Sequence, residues 1–274
     1  MKAIKLILLG VSLFSILPLG AQVFDKPRSL AEADSLDRVQ YRVLYQLDFI
    51  SDPTDREYVT QDQVRLDIGT QISKVYSLKH YQADSAATPL IETGQFPRKI
   101  VTDVVPPMIL YRGYPKTQDI TTDYRLPAGA PVMSYVEPKP TLQWQLKPEK
   151  REILGHSCQR AEVSFGGRQW IAWFTSEIPL SEGPYKFEGL PGLILEVADS
   201  EGDYRYTCIG IANLSAGENI VRWKWNQRPT TRKELEKIIV QLYANPEQAI
   251  KALGGRMGFK GDPMLNLPYN PIEK

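Results

Sequence analysis

Along most of the chain, apolar and polar positions alternate with a period of two, the mark of strands with one face turned to a core. In "YRVLYQLDF" Val43, Tyr45, Leu47 and Phe49 share a face, and in "QVRLDIG" Val64, Leu66 and Ile68 oppose Arg65 and Asp67. "ISKVYSL" reads as the next strand, and "VRWKW" sets Val221, Trp223 and Trp225 against Arg222 and Lys224. Such half-exposed strands belong to antiparallel sheets.

The centre of the chain is more regular. "CQRAEVSF", a Gly166-Gly167 turn and "RQWIAWFT" spell a hairpin, and "LILEVAD", the turn "SEGD" and "YRYTCIGI" spell a second. In "WIAWF" both faces are apolar, Trp170, Ala172 and Phe174 against Ile171 and Trp173, which predicts cover on both sides by a helix or by the inner cavity of a strongly curved sheet.

Helical periodicity is scarcer. "SLAEADSLDRVQ" is expected to be helical, as is "RPTTRKELEKIIVQLY", where Thr230 or Thr231 caps a stripe of Leu235, Ile238, Ile239 and Leu242. "NPEQAIKAL" comes next as a short helix ended by Gly254 and Gly255. Residues 83–140 carry nine prolines between short apolar pieces, which favours edge strands, irregular hairpins and long loops. The expectation is a mainly β protein, a strongly curved antiparallel sheet or partly open barrel with a few peripheral helices, in one domain over 22–274.

Residues 1–21 join Lys2 and Lys5 to a short apolar run that ends on small residues, the pattern of a cleaved signal peptide. Gly10, Ser12, Ser15 and Pro18 interrupt the run, which is short for a bilayer span, and no cysteine stands near the cut for a lipid anchor. The mature chain is therefore expected in the periplasm or cell envelope without a membrane-spanning segment. Cleavage after Ala21 shifts the net charge from +1 to −1, which offers no basic footprint for nucleic acid.

Candidate chemistry is sparse. Two histidines, His80 and His156, and no Cys-x-x-Cys spacing exclude a structural zinc site from the expectation, and no cofactor motif is present. Cys158 and Cys208 are a candidate disulfide in an oxidising compartment, against the alternative of two buried thiols. In a four-strand meander they sit three strand spacings apart, about 14 Å, so the bond requires a curled sheet. Glu177, Glu182, Glu188 and Glu196 are the material for a hydrolase. His156 and Ser157, as neighbours in a strand, point to opposite faces, which argues against a base and nucleophile in contact.

The most specified segment lacks such chemistry. In Gly189-Leu190-Pro191-Gly192-Leu193-Ile194 the proline fixes φ near −65° and Gly192 admits positive φ, so Leu190 to Leu193 suits a type II turn that delivers the chain into "LILEV". That strand stands where a phosphate loop would need a helix N-terminus.

This hexapeptide resembles the signature of the GLPGLI family, exported proteins of the Bacteroidetes without an established activity. "LGHSCQRA", "GRQWIAWFTSEIPLSEGPYKFEGLPGLILEV", "LDIGTQISKVYS" and the closing "NPIE" resemble it too, while 83–140 stay unmatched. The resemblance implies an envelope location and a curved sheet like that of lipoprotein carriers, and supplies no catalytic residues. Two non-catalytic roles are then expected. In the first, Trp170, Trp173, Phe174, Leu193, Leu195 and Tyr206 line a site for a lipid or other apolar ligand. In the second, the loop "IPLSEGPYKFEG" presents Tyr185 and Phe187 to an outer-membrane partner.

Overall fold

The computed structural model describes residues 26–95, 106–127, 129–214, 217–254 and 269–274. The expected signal peptide lies outside the described residues. Fourteen strands and three helices succeed one another among the described residues: β1 (Ala33–Arg38), β2 (Tyr41–Phe49), β3 (Thr60–Ile68), β4 (Ser73–Ser77), α1 (Leu78–Glu92), β5 (Met108–Arg112), β6 (Asp119–Arg125), β7 (Val132–Pro138), β8 (Gln145–Ile153), β9 (His156–Phe165), β10 (Arg168–Thr175), β11 (Leu193–Asp199), β12 (Tyr204–Asn213), β13 (Asn219–Trp223), β14 (Gln227–Pro229), α2 (Arg232–Ala244) and α3 (Pro246–Ala252).

Twelve of the strands form one sheet, ordered β14-β7-β6-β5-β4-β3-β2-β12-β11-β10-β9-β8, antiparallel except where β14 runs parallel to β7. Its edges, β14 and β8, do not meet, so the sheet is curved and open, not a closed barrel. The second half is the expected meander, and Gly166 and Gly167, both at positive φ, make its first hairpin turn. β8, rich in Lys and Glu and carrying Pro148, is a blunted edge.

One face of the sheet encloses the main core, where Val43, Tyr45 and Leu47 of β2 and Leu66 of β3 join Trp170, Ala172 and Phe174 of β10 and Leu193 to Leu195 of β11. The opposite face of β3 to β6 is covered by α1 and by the separate pair β1-β13, with Tyr76, Ile109, Tyr111 and Trp223 between the layers. α2 closes the concave side against β7, through Leu235, Ile239 and Leu242 on Tyr124, Met133 and Tyr135. It starts at Thr231, whose hydroxyl and the Glu234 carboxylate form a reciprocal capping box.

Three expectations about elements are corrected. The segment read as a helix at 29–40 contains strand β1. Asp37 accepts hydrogen bonds from the amides of Gln71 and Ile72, at 2.7 and 3.0 Å, and pairing with β13 overrides the local helical spacing. The stretch 83–140, read as edge strands, irregular hairpins and long loops, holds among the described residues most of α1 and strands β5, β6 and β7, all three of which lie inside the sheet and not at its edge. Among the described residues Pro138 ends β7 and Pro106, Pro107, Pro115, Pro127, Pro131 and Pro140 stand in connections, where no ladder hydrogen bond is lost, while Pro89 lies inside α1. Finally, the second apolar face of β10 has no covering layer: Ile171 and Trp173 are half-exposed, and the Arg151 guanidinium lies 4.2 Å from the Trp173 ring centre.

Candidate functional site

Residues 176–192, which join β10 to β11, turn inward and pack across the concave face. Phe187, Leu190, Leu193 and Ile194 are all buried, and the Tyr45 hydroxyl donates to the Ile194 carbonyl at 2.7 Å. Arg112 on β5 is fully buried, ion-pairs with Glu182, donates to Ser73 Oγ at 3.0 Å and reaches the Phe187 carbonyl at 3.3 Å. Trp144 Nε1 donates to the Glu188 carbonyl at 2.9 Å. The segment 176–194 is thus an anchored plug that ties the two halves of the sheet together.

Its turn differs from the type II turn expected. Gly192 N donates to Leu190 O at 2.8 Å, closing a three-residue turn about Pro191. Gly192 is required by proximity, because a Cβ there would lie 2.0 Å from the Thr175 carbonyl oxygen.

Beside this plug lies a cavity of about 160 Å³, between the concave sheet, α2 and the C-terminal segment. Its walls are Phe49, Val64, Val75, Met108 and Leu110 from the sheet, Leu235 and Ile239 from α2, and a set of tyrosines, 124, 135, 185, 204, 206 and 243. Burial pushes the hydroxyls of Tyr124, Tyr185 and Tyr206 well above their ordinary range, so they stay neutral.

The C-terminal residues close one side. Arg168 donates to Asn270 Oδ1 and to the Pro271 carbonyl, both at 2.7 Å, and Lys274 N donates to the Gly166 carbonyl at 2.7 Å. The Glu273 carboxylate accepts from Tyr185 Oη, and from Lys186 Nζ and Arg232 Nη2 at 2.6 and 2.7 Å. Burial opposes the Lys186 charge, but Glu273, Tyr135 and Glu137 outweigh it and hold the ammonium above its ordinary pKa. Residues 269–273 are therefore a wall of the cavity.

The candidate binding residues divide. Tyr185 and Tyr206 line the cavity. Trp170, Phe174, Phe187, Leu193 and Leu195 fill the core, with the Trp170 and Phe187 ring centres 4.6 Å apart, and Trp173 sits on the outer face. Tyr185 and Phe187 are not at an exposed loop tip: both are buried, since apolar contact with the core outweighs display. Of the remaining lining, Met108, Leu110, Thr122, Tyr124 and Tyr135 on β5 to β7 fall in the stretch whose strands the prolines disguise, while Phe49, Val64, Val75 and Tyr204 fall on strands legible in sequence but given no binding role. That on α2 falls on a helix legible in sequence, but as a peripheral one.

The glutamates are scattered: Glu177 is hydrogen-bonded to His156, and Glu182 ion-pairs with Arg112, Glu188 with Lys139, and Glu196 with Arg151 and Arg205. Glu177 takes both neighbours read from sequence, His156 Nδ1 at 2.7 Å and the Ser157 amide at 3.1 Å. Cys158 and Cys208 are free, buried thiols, not a disulfide. They stand on β9 and β12, with two strands between them in the meander. Burial pushes both thiols up to about 11, which leaves no thiolate for nucleophilic chemistry at neutral pH.

Asp199, Glu201 and Asp203 bring ligand atoms within 4.8 Å of one another, the one acidic group of metal-binding size among the described residues. The Arg168 guanidinium occupies it, at 2.6 Å from Asp199, 3.5 Å from Glu201 and 2.8 Å from Asp203.

Residues 167–196, from the hairpin turn through β10 and the plug into β11, match a family model described as "Protein of unknown function (Porph_ging)". The chain is similar over that segment to this family. No curated protein matches it. Two solved structures of PNGF-II, in different space groups, are similar in fold, with TM-scores of 0.48 and 0.47, at 12% and 13% identity over 74% and 72% of this chain. The chain spans about a third of their length, 33% and 32%.

Proposed function

We propose that this chain is an exported envelope protein of the GLPGLI type that holds one apolar ligand in the cavity beneath α2, without catalysing its conversion. The observation that carries the reading is the lining itself: Phe49, Val64, Val75, Met108 and Leu110 from four strands and Leu235 and Ile239 from α2, interleaved with neutral tyrosines, with the plug fixing the adjoining core. An apolar cavity of roughly 150 Å³ is large enough to stay dry and take a benzene-sized guest. At about 160 Å³ this one accommodates a single ring or a short hydrocarbon segment. The tyrosine hydroxyls offer a few polar contacts to orient it.

A pull-down from envelope extract, with organic extraction and mass spectrometry of the captured material, tests the proposal. One apolar compound in near one-to-one amount supports a carrier. An outer-membrane protein recovered in stoichiometric amount with no extractable compound would instead assign the chain to an assembly or transport complex.

A further inference from the structure

A second cavity, of about 310 Å³, lies on the opposite face of the sheet, beneath α1 and β13, and the apolar-ligand reading makes no use of it. Lys74, in the second position of β4, forms part of its wall and is 2% exposed. Buried lysines are nearly always paired with a carboxylate. Here, among the described residues, no carboxylate stands within ion-pair distance of Lys74. Its cross-strand neighbour Asp67 is engaged by Arg42, Arg65 and the Tyr76 hydroxyl at 2.7, 3.0 and 3.0 Å, and Asp123 by Arg222 at 2.8 Å. Lys74 Nζ instead donates to the Val221 carbonyl at 2.8 Å and lies 3.3 Å from the centre of the Trp223 ring, with the Tyr76 and Tyr111 rings at 4.7 and 5.4 Å.

We propose that Lys74 is a covalent binding site for small carbonyl compounds, its amine condensing with an aldehyde or ketone that enters this cleft. The nitrogen lone pair adds to the carbonyl carbon and the oxygen takes up a proton, giving a carbinolamine. Loss of one water then leaves a C=N bond where the C=O bond was, with no change of oxidation state. Asp67 and Tyr76, joined by their own hydrogen bond, stand on the same wall and supply proton donors and acceptors for the dehydration.

The electrostatics agree with the geometry. Burial drives the Lys74 ammonium down to about 7, against the pull of Asp67 and Asp123. Its unprotonated share at neutral pH is then about a thousandfold that of an ordinary exposed lysine, and only the unprotonated amine is nucleophilic.

Treating the native protein with glycolaldehyde and cyanoborohydride traps any imine as a stable secondary amine, and peptide mass spectrometry reports it lysine by lysine. The expected result is modification of Lys74 roughly tenfold faster than of the exposed Lys150 in the same sample, rising through a midpoint near the pKa of about 7 and lost in Lys74→Arg. The comparison within the parent protein decides the matter even if that variant folds poorly. Lys74 modified no faster than Lys150, or only after denaturation, would make it a structural cation and overturn the proposal.

Discussion

The backbone of Gly192 lies directly against the Thr175 carbonyl: a Cβ on Gly192 would fall 2.0 Å from the oxygen and 2.6 Å from the carbonyl carbon. Gly189, three residues earlier at φ +95°, has only the Trp144 ring at 4.0 Å from such a Cβ. Gly192→Ala is therefore expected to destabilise by about 2 to 4 kcal/mol, combining overpacking with an unfavourable φ, and Gly189→Ala by about 1 kcal/mol. Denaturant melts of the two variants check the order, and a Gly192→Ala protein as stable as its parent would exclude the close approach.

Arg112 should behave as a buried ion that holds the plug to the far half of the sheet. Arg112→Met alone strands the Glu182 carboxylate and is expected to cost about 3 to 5 kcal/mol, while adding Glu182→Leu restores much of the loss. A double variant no more stable than the single one would show that the pair is not coupled.

How much of the fold is legible in the sequence depends on what lies beneath each strand. β2 and β12 pack one face on the apolar core and show clean alternation. β6 does not, because its outward face is itself buried under a second layer through ion pairs: Asp123 to Arg222 and Arg125 to Asp84. Its sequence "DITTDYR" therefore reads as a polar turn. α1 is hidden for a similar reason, since it buries His80, Asp84 and Ala87 and no apolar stripe runs along it. The cavity draws on β6 and its neighbours β5 and β7 and on residues 269–273, and of its lining only Tyr185 and Tyr206 stand among the binding residues that the sequence suggests.

The two cysteines give a direct count. In the native protein neither thiol is expected to react with a disulfide reagent at pH 8, because both are buried and held near 11. Full denaturation should release two titratable thiols per chain. No thiols after non-reducing denaturation would mean that the bond forms.

Lys74 makes a signed prediction about stability. Its amine is depressed to about 7 in the folded state and has an ordinary value of 10.5 when exposed, so above pH 7 the unfolded chain binds more protons. This contribution to stability must rise with pH between 7 and 10.5, by at most about 1.4 kcal/mol per pH unit. Urea melts from pH 7 to pH 9 should show the rise, and Lys74→Met should flatten it. A parent slope that the substitution leaves unchanged would place the titration elsewhere.

The carrier reading depends on the space beneath α2 being a binding cavity, and a calorimetric titration with toluene, a single-ring apolar guest, probes that space itself. Ile239 faces it from α2, so Ile239→Trp fills it from a position at the wall. Saturable one-to-one binding is expected with the parent protein, and its loss in Ile239→Trp, with the melting temperature of the variant close to that of the parent. Absence of saturable binding in the parent, or undiminished binding in a well-folded Ile239→Trp, would contradict the reading.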